Sequence, residues 1–277
     1  MEKIDRLGWA AGISFLTYGV RVGVRTNDPE IMGKLVERFP PLWKPAASPV
    51  VDVLYSVRVG GGGPRSKVRR FNLLYGNLQK LARTMDLDEV LQTLESDLQM
   101  YVAEYSPSRV FVHAGAVGWR GKAIVIPGLS YSGKSTLVAE LVRAGATYYS
   151  DEYAVFDSRG RVHPYPRALG IRENPIELPK KYPVEKLGGS AGVNPLPLGL
   201  VVSTYYTAGA KWQPRRLTPG QGALALLKNT VPARRQPEAS LDALQQAMMN
   251  ASAIKSSRGE AAEAAGNILE LLDSRAS

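Results

Sequence analysis

The sequence predicts an α/β protein in two parts: a small α+β domain over residues 1–108 and a larger α/β domain over residues 109–277. Three observations predict it. Short runs of alternating apolar residues are interleaved with segments of helical periodicity. The character of the chain changes at Val110, just after Pro107 closes a long amphipathic stretch. A glycine-bearing segment, Gly128 to Ser135, stands between an apolar strand and an apolar helix.

In the first part, Ile13, Phe15, Tyr18, Val20, Val22 and Val24 alternate loosely across residues 12–26, giving one or two strands with a turn at Gly19. Asp28-Pro29-Glu30 opens a helix, with Asp28 as cap and Pro29 at the first helical position. Ile31, Leu35 and Phe39 follow at helical spacing before Pro40-Pro41 ends it. Val50 to Val59 reads as a strand, Gly60 to Pro64 as a loop, and Val68 to Tyr75 as the second arm of a hairpin. Leu87 to Tyr105 carries Val90, Leu91, Leu94, Leu98, Tyr101 and Val102 on one helical face. This part holds no histidine and no carboxylate cluster, and reads as scaffold or partner docking.

In the second part, Val110–Val117 and Lys122–Pro127 read as two strands joined at Trp119-Arg120-Gly121, with a helix from Lys134 to about Ala144. Ala146 to Ser150 is a strand ending at Asp151-Glu152, followed by a hairpin about Asp157–Gly160. Leu198 to Tyr206 is a further strand. Helices are expected at 219–229, at 239–251, and from Arg258 to Asp273.

The chain has no cysteine, which excludes disulfides, thiol nucleophiles and cysteine-ligated metal sites and fits a reducing compartment. Acids and glycines near the N-terminus argue against a signal peptide, and no run of about 18 apolar residues is present, so no membrane span and a cytoplasmic location are expected. The formal net charge is +10. Between Lys186 and Gln236 lie seven basic residues (Lys186, Lys211, Arg215, Arg216, Lys228, Arg234, Arg235) and no acid. That stretch is either a solvated basic face or a surface for phosphates or an acidic partner. No zinc-finger ligands, basic region with heptads or aromatic-rich RNA-binding motif is present, so nucleic acid is a minor expectation.

Gly128-Leu129-Ser130-Tyr131-Ser132-Gly133-Lys134-Ser135 matches G-x-x-x-x-G-K-[ST] in full, with Thr136 following. Gly128 and Gly133 allow backbone angles and close approach that a side chain would block. Successive N–H groups can then cradle phosphate oxygens at the positive end of the following helix. Lys134 reaches the β and γ phosphates and the Ser135 hydroxyl serves Mg²⁺, so the expected ligand is a nucleoside triphosphate. The helix returns the chain so that the strand from Ala146 runs parallel to the strand from Ala123, which brings Asp151 and Glu152 out beside the loop. There one carboxylate can accept a proton from an attacking hydroxyl and the other can hold a metal; the plain alternative is a helix cap or surface turn. His113, one of two histidines, is either a structural hydrogen bonder or a member of this site.

At these residues the chain resembles the catalytic domain of HPr kinase/phosphorylase and its relatives. The resemblance rests on His113-Ala114-Gly115-Ala116-Val117, the loop Gly128–Ser135, Leu137 to Gly145, Ser150-Asp151-Glu152 and Arg167-Ala168-Leu169-Gly170-Ile171, and covers about residues 110–172. It implies a P-loop kinase fold related to ATP-dependent phosphoenolpyruvate carboxykinase, and transfer of phosphate from ATP with Mg²⁺ to a serine hydroxyl on a peptide, a protein or free serine. It implies Asp151 as base, Lys134 on phosphate, Ser135 and Glu152 on the metal, and His113 in support. Where the family carries a glutamate this chain has Tyr165; Glu173 stands nearby, and Thr136 stands where the bacterial regulator usually has glutamate. The rival reading is a non-catalytic nucleotide-sensing module, and Tyr165 favours it. A homo-oligomer is compatible with either reading.

Overall fold

The computed structural model describes residues 3–60, 71–128, 132–171 and 180–274. The chain forms two compact units, Met1–Pro107 and Ser108–Ser277, with mixed α/β architecture.

The first unit is a six-stranded sheet covered by one long helix. Strands β1 (Ala11–Thr17) and β2 (Val20–Thr26) form an antiparallel hairpin. The helix expected after Asp28 is short. The Asp28 carboxylate caps a single 3₁₀ turn by accepting the Glu30 N–H, and α1 covers only Met32–Val36. Pro40 disfavours helical angles at Phe39. Phe39 instead leaves the helix and stacks on Phe15, with ring centroids 4.0 Å apart. Strand β3 (Lys44–Pro45) edges β1, while β4 (Val53–Arg58) runs parallel to β2. Strand β5 (Asn72–Gly76) pairs with β4 and with β6 (Gln79–Thr84). Residues 61–70, where the glycine loop and the start of the Val68–Tyr75 strand were expected, lie outside the described residues. Helix α2 (Leu87–Tyr105) has the expected bounds. Asp86 caps it, and Val90, Leu91, Leu94, Leu98 and Val102 are buried on one face.

The second unit is a sheet between two layers of helices. In chain order its strands are β7 (Val110–Trp119), β8 (Lys122–Pro127), β9 (Thr147–Ser150), β10 (Tyr153–Phe156), β11 (Arg161–His163), β12 (Leu169–Ile171), β13 (Lys180–Tyr182), β14 (Leu196–Tyr206), β15 (Arg215–Leu217) and β16 (Ser252–Arg258). Its helices are α3 (Lys134–Arg143), α4 (Pro219–Leu227), α5 (Pro237–Met248) and α6 (Ala261–Asp273). The main sheet has the order β11-β10-β7-β8-β14-β16-β15, with β9 also on β7 and β12-β13 a separate pair. Because β11 also pairs with the start of β14, strands β11, β10, β7, β8 and β14 form a closed ring of pairings.

Alternation along β8 explains the three layers. Ile124 and Ile126 face a core with α3 and α6, containing Leu137, Leu141, Leu200, Ile254 and Ile268. Ala123 and Val125 face the opposite core with α4 and α5, containing Val201, Leu226 and Leu244. Both faces are covered, so β8 reads as a continuous apolar run. Gly115 lets α3 approach β7, since a Cβ there would lie 2.5 Å from Val138 Cγ2.

Strands β8, β14 and β16 are mutually parallel, and β9 runs in the direction of β8 because both are antiparallel to β7. The strand from Ala146 was expected parallel to the strand from Ala123; the direction agrees, with β7 lying between them. Strand β16 was not anticipated, and Arg258 closes it rather than opening the last helix. Among the described residues no helix is long and apolar enough to cross a membrane.

Candidate functional site

The ends of β8 and β9 open on one edge of the sheet, and the middle of β7 lies between them. His113 and Ala114 stitch the two ends together through the backbone. The Gly128 N–H donates to the His113 carbonyl (3.3 Å), and the Ala114 N–H donates to the Glu152 carbonyl (3.1 Å). The His113 N–H donates in turn to the Asn229 carbonyl (2.7 Å). The start of the glycine loop and the Asp151-Glu152 turn are therefore held in fixed register by one dipeptide.

Gly133 is the N-cap of α3, in the left-handed region at φ 78°, a conformation that favours glycine. At Gly128 a Cβ would lie 3.0 Å from Ser132 Oγ and 3.6 Å from Lys134 Cδ, so the two described ends of the loop approach closely. Leu129, Ser130 and Tyr131, expected to bind nucleotide, lie outside the described residues. Ser135 and Thr136 occupy the first turn of α3, Ser135 partly buried and Thr136 exposed.

Lys134 is 8% exposed. Burial pushes its ammonium down to about 8, against the attraction of Asp151 and then Glu152. His113 is pushed down to about 4, mainly by burial and then by the Lys134 charge, with Asp151 opposing. Its ring is therefore neutral at pH 7. These mutual influences bring Lys134, His113, Asp151 and Glu152, all singled out in the sequence, into one electrostatic neighbourhood.

Asp151 is held at both oxygens. The Tyr148 hydroxyl donates to Oδ1 (2.9 Å) and the Gly170 N–H donates to Oδ2 (3.2 Å). Tyr148 is 1% exposed, and burial together with the Asp151 charge pushes its phenol far up, so it remains a donor. Ser150 shapes the turn, its hydroxyl accepting the N–H groups of Glu152 (3.0 Å) and Tyr153 (2.9 Å). Sequence reasoning missed Tyr148 and Gly170 as supports of Asp151. Tyr148 reads as an apolar strand residue, and Gly170 acts through its backbone alone.

Tyr165 is fully buried, with its ring centroid 5.9 Å from Phe111 and 5.5 Å from Tyr153. It is a core aromatic where the resemblance would put a carboxylate. Glu173 lies outside the described residues.

The residues present suit a magnesium triphosphate. The Ser132 hydroxyl is buried with no hydrogen-bond partner among the described residues, beside a glycine cradle and a buried ammonium. Among the described residues no group of three or more His, Asp or Glu could hold a metal by itself. Magnesium commonly takes one or two carboxylates and completes its shell with phosphate oxygens and water.

Neither a scan against protein-family models nor a search of curated proteins finds a match for this chain.

Proposed function

We propose that the chain is a P-loop kinase of the HPr kinase-like type, transferring the γ-phosphoryl group of ATP to the hydroxyl of a serine-bearing acceptor. The observation that carries the reading is a buried lysine at a glycine-capped helix end, beside an aspartate whose two oxygens are oriented by Tyr148 and Gly170. The first half of that arrangement binds phosphates, and the second can manage a proton.

In this reading the loop N–H groups and Lys134 take the β and γ phosphates. The acceptor oxygen attacks the γ phosphorus, its proton passes to Asp151, and the bond to the β–γ bridging oxygen breaks to release ADP. Asp151 keeps a fixed aim because it is held at both oxygens, which limits the reorganisation needed at the moment of transfer. Neutral His113 adds polarity without adding a second positive charge beside Lys134. Ser135 and Glu152 would hold magnesium, which supplies charge neutralisation to the phosphates when bound. The cysteine-free chain suits a cytoplasmic setting for this chemistry.

The buried Tyr165 ring supports a second reading, a module that holds nucleotide and does not transfer phosphate. Asp151→Asn separates the two. Wild type and variant are incubated with ATP, Mg²⁺ and serine-bearing peptides or free serine, and products are read by mass spectrometry beside calorimetric ATP binding. A kinase gives transfer that falls by roughly two to four orders of magnitude in the variant, with ATP binding kept. ATP binding without transfer by either protein supports the sensing module. Absence of ATP binding in wild type refutes both.

A further inference from the structure

Arg258 lies far along the chain from the glycine loop and ends against it. It closes β16, opposite Tyr206 on the parallel strand β14. The residue is 3% exposed. Its Nη2 donates to the Gly133 carbonyl (2.9 Å), its Nη1 donates to the Gly259 carbonyl (3.1 Å), and the guanidinium carbon sits 5.5 Å from the Tyr206 ring centroid. Its Nε is buried with no hydrogen-bond partner, and no carboxylate forms an ion pair with it, among the described residues. Burial lowers its pKa, and the nearby Glu260 carboxylate opposes that without pairing directly. A buried guanidinium with no direct ion pair is costly, so its persistence here calls for a reason.

The contact explains itself through one peptide plane. The Gly133 carbonyl also accepts the Leu137 N–H (3.2 Å), the first hydrogen bond of α3. In a trans peptide the carbonyl and the following N–H point in opposite directions. Fixing the Gly133 carbonyl from behind therefore turns the Lys134 N–H out of the open helix end, where an anion would meet it. Gly133 is required for this approach as well as for its φ, because a Cβ there would lie 2.5 Å from Arg258 Nη2. Two buried cations, Lys134 and Arg258, thus flank one helix N-terminus that is itself positive. The Ser132 hydroxyl, on the Lys134 side of that end, is a second buried polar group without a partner among the described residues.

We infer that Arg258 is a positioning residue of the phosphate site: it locks the Gly133–Lys134 peptide with its N–H facing the ligand and adds a charge that a polyphosphate anion compensates. The inference rests on the phosphate-binding half of the proposed function and is independent of whether phosphate is transferred.

The full-length chain, Arg258→Met and Arg258→Lys are titrated calorimetrically with pyrophosphate and with Mg²⁺–ATP, and melting temperatures are measured with and without pyrophosphate. Loss of a charge-assisted hydrogen bond that orients the binding peptide should weaken both ligands about tenfold or more in Arg258→Met. Arg258→Lys keeps the charge but loses the two-armed grip, and should weaken them by roughly threefold to tenfold. The gain in melting temperature on adding pyrophosphate should shrink in the same order. If Arg258→Met fails to fold, the lysine variant decides. Affinities within twofold of wild type in the folded variants overturn the inference while the phosphate-site reading stands. A lowered melting temperature of the ligand-free variants with an unchanged ligand-induced gain shows a purely structural arginine and also overturns it. Failure of wild type to bind either ligand removes the phosphate-site reading beneath it.

Discussion

Lys134→Met should stabilise the protein while abolishing polyphosphate binding. Lys134 is 8% exposed, and its ammonium is held at about 8 against an ordinary value of 10.5. At 1.36 kcal/mol per pH unit, keeping that charge in the folded state at pH 7 costs roughly 3 kcal/mol. The sign follows from proton counting. Between about 8 and 10.5 the unfolded chain holds a proton that the folded chain has released, so stability rises with pH through that window. Below about 8 both states are charged and the cost is felt in full; above 10.5 both are neutral and it vanishes. Methionine keeps much of the length and packing without the charge. The cost of that charge is already net of the attraction of Asp151 and Glu152; the shorter methionine leaves some of the lysine's packing unmade, which reduces the gain. The expected net stabilisation at pH 7 is about 1–3 kcal/mol, equivalent to a rise of roughly 2–10 °C in melting temperature. Urea unfolding of both proteins between pH 7 and pH 10.5 would show the gap narrowing as pH rises. A variant less stable than wild type at pH 7, or a gap independent of pH, would refute the reasoning.

Tyr148→Phe removes the hydroxyl donor to Asp151 Oδ1 without altering core volume, and should cost about 2 kcal/mol by chemical denaturation; a cost below about 0.5 kcal/mol would show that the bond contributes little. His113, pushed down to about 4, should show no ring-proton inflection near 6.5 by NMR. Since the unfolded chain takes up that proton first, stability should fall as pH drops from about 6.5 toward 4, and His113→Asn should flatten this acid limb. Reversing Arg215 and Arg216, exposed on β15, to glutamate should weaken acceptor binding and reduce its salt dependence; unchanged affinity at low and high salt would make the basic edge a solvated one.

Legibility in the sequence tracked how strongly burial dictates residue type. Helix α2 could be read to its end residues because an apolar stripe and the closing Pro107 agree, and the structure adds Asp86 as its cap. Strand β8 and the start of α3 were equally clear, being bounded by glycines that the loop geometry needs. Strands β6 and β16 escaped because QKLART and SAIKSSR carry no long apolar alternation. Strand β16 is paired by neighbours remote in sequence, and β6 by the adjacent strand β5 across a two-residue turn. Asp151 was placed at the loop by the crossover connection alone. Tyr148 and Arg258 were invisible because their roles depend on what faces them: a tyrosine in an apolar run and an arginine at a presumed helix start announce neither an aspartate nor a glycine carbonyl.

The His113–Ala114 dipeptide has a consequence for how the site can vary. Gly128, Glu152 and Asn229 come from three remote stretches, and all bond to its backbone. Side chains on a strand alternate between faces, so a one-residue slip of β7 would turn His113 away and misalign all three attachments together. Backbone anchoring of this kind is indifferent to side-chain identity. Substitutions at the three attached positions can therefore accumulate without disturbing the frame, whereas an insertion or deletion within β7 would dismantle it at one stroke. Drift in this region should be rich in replacements and poor in length changes.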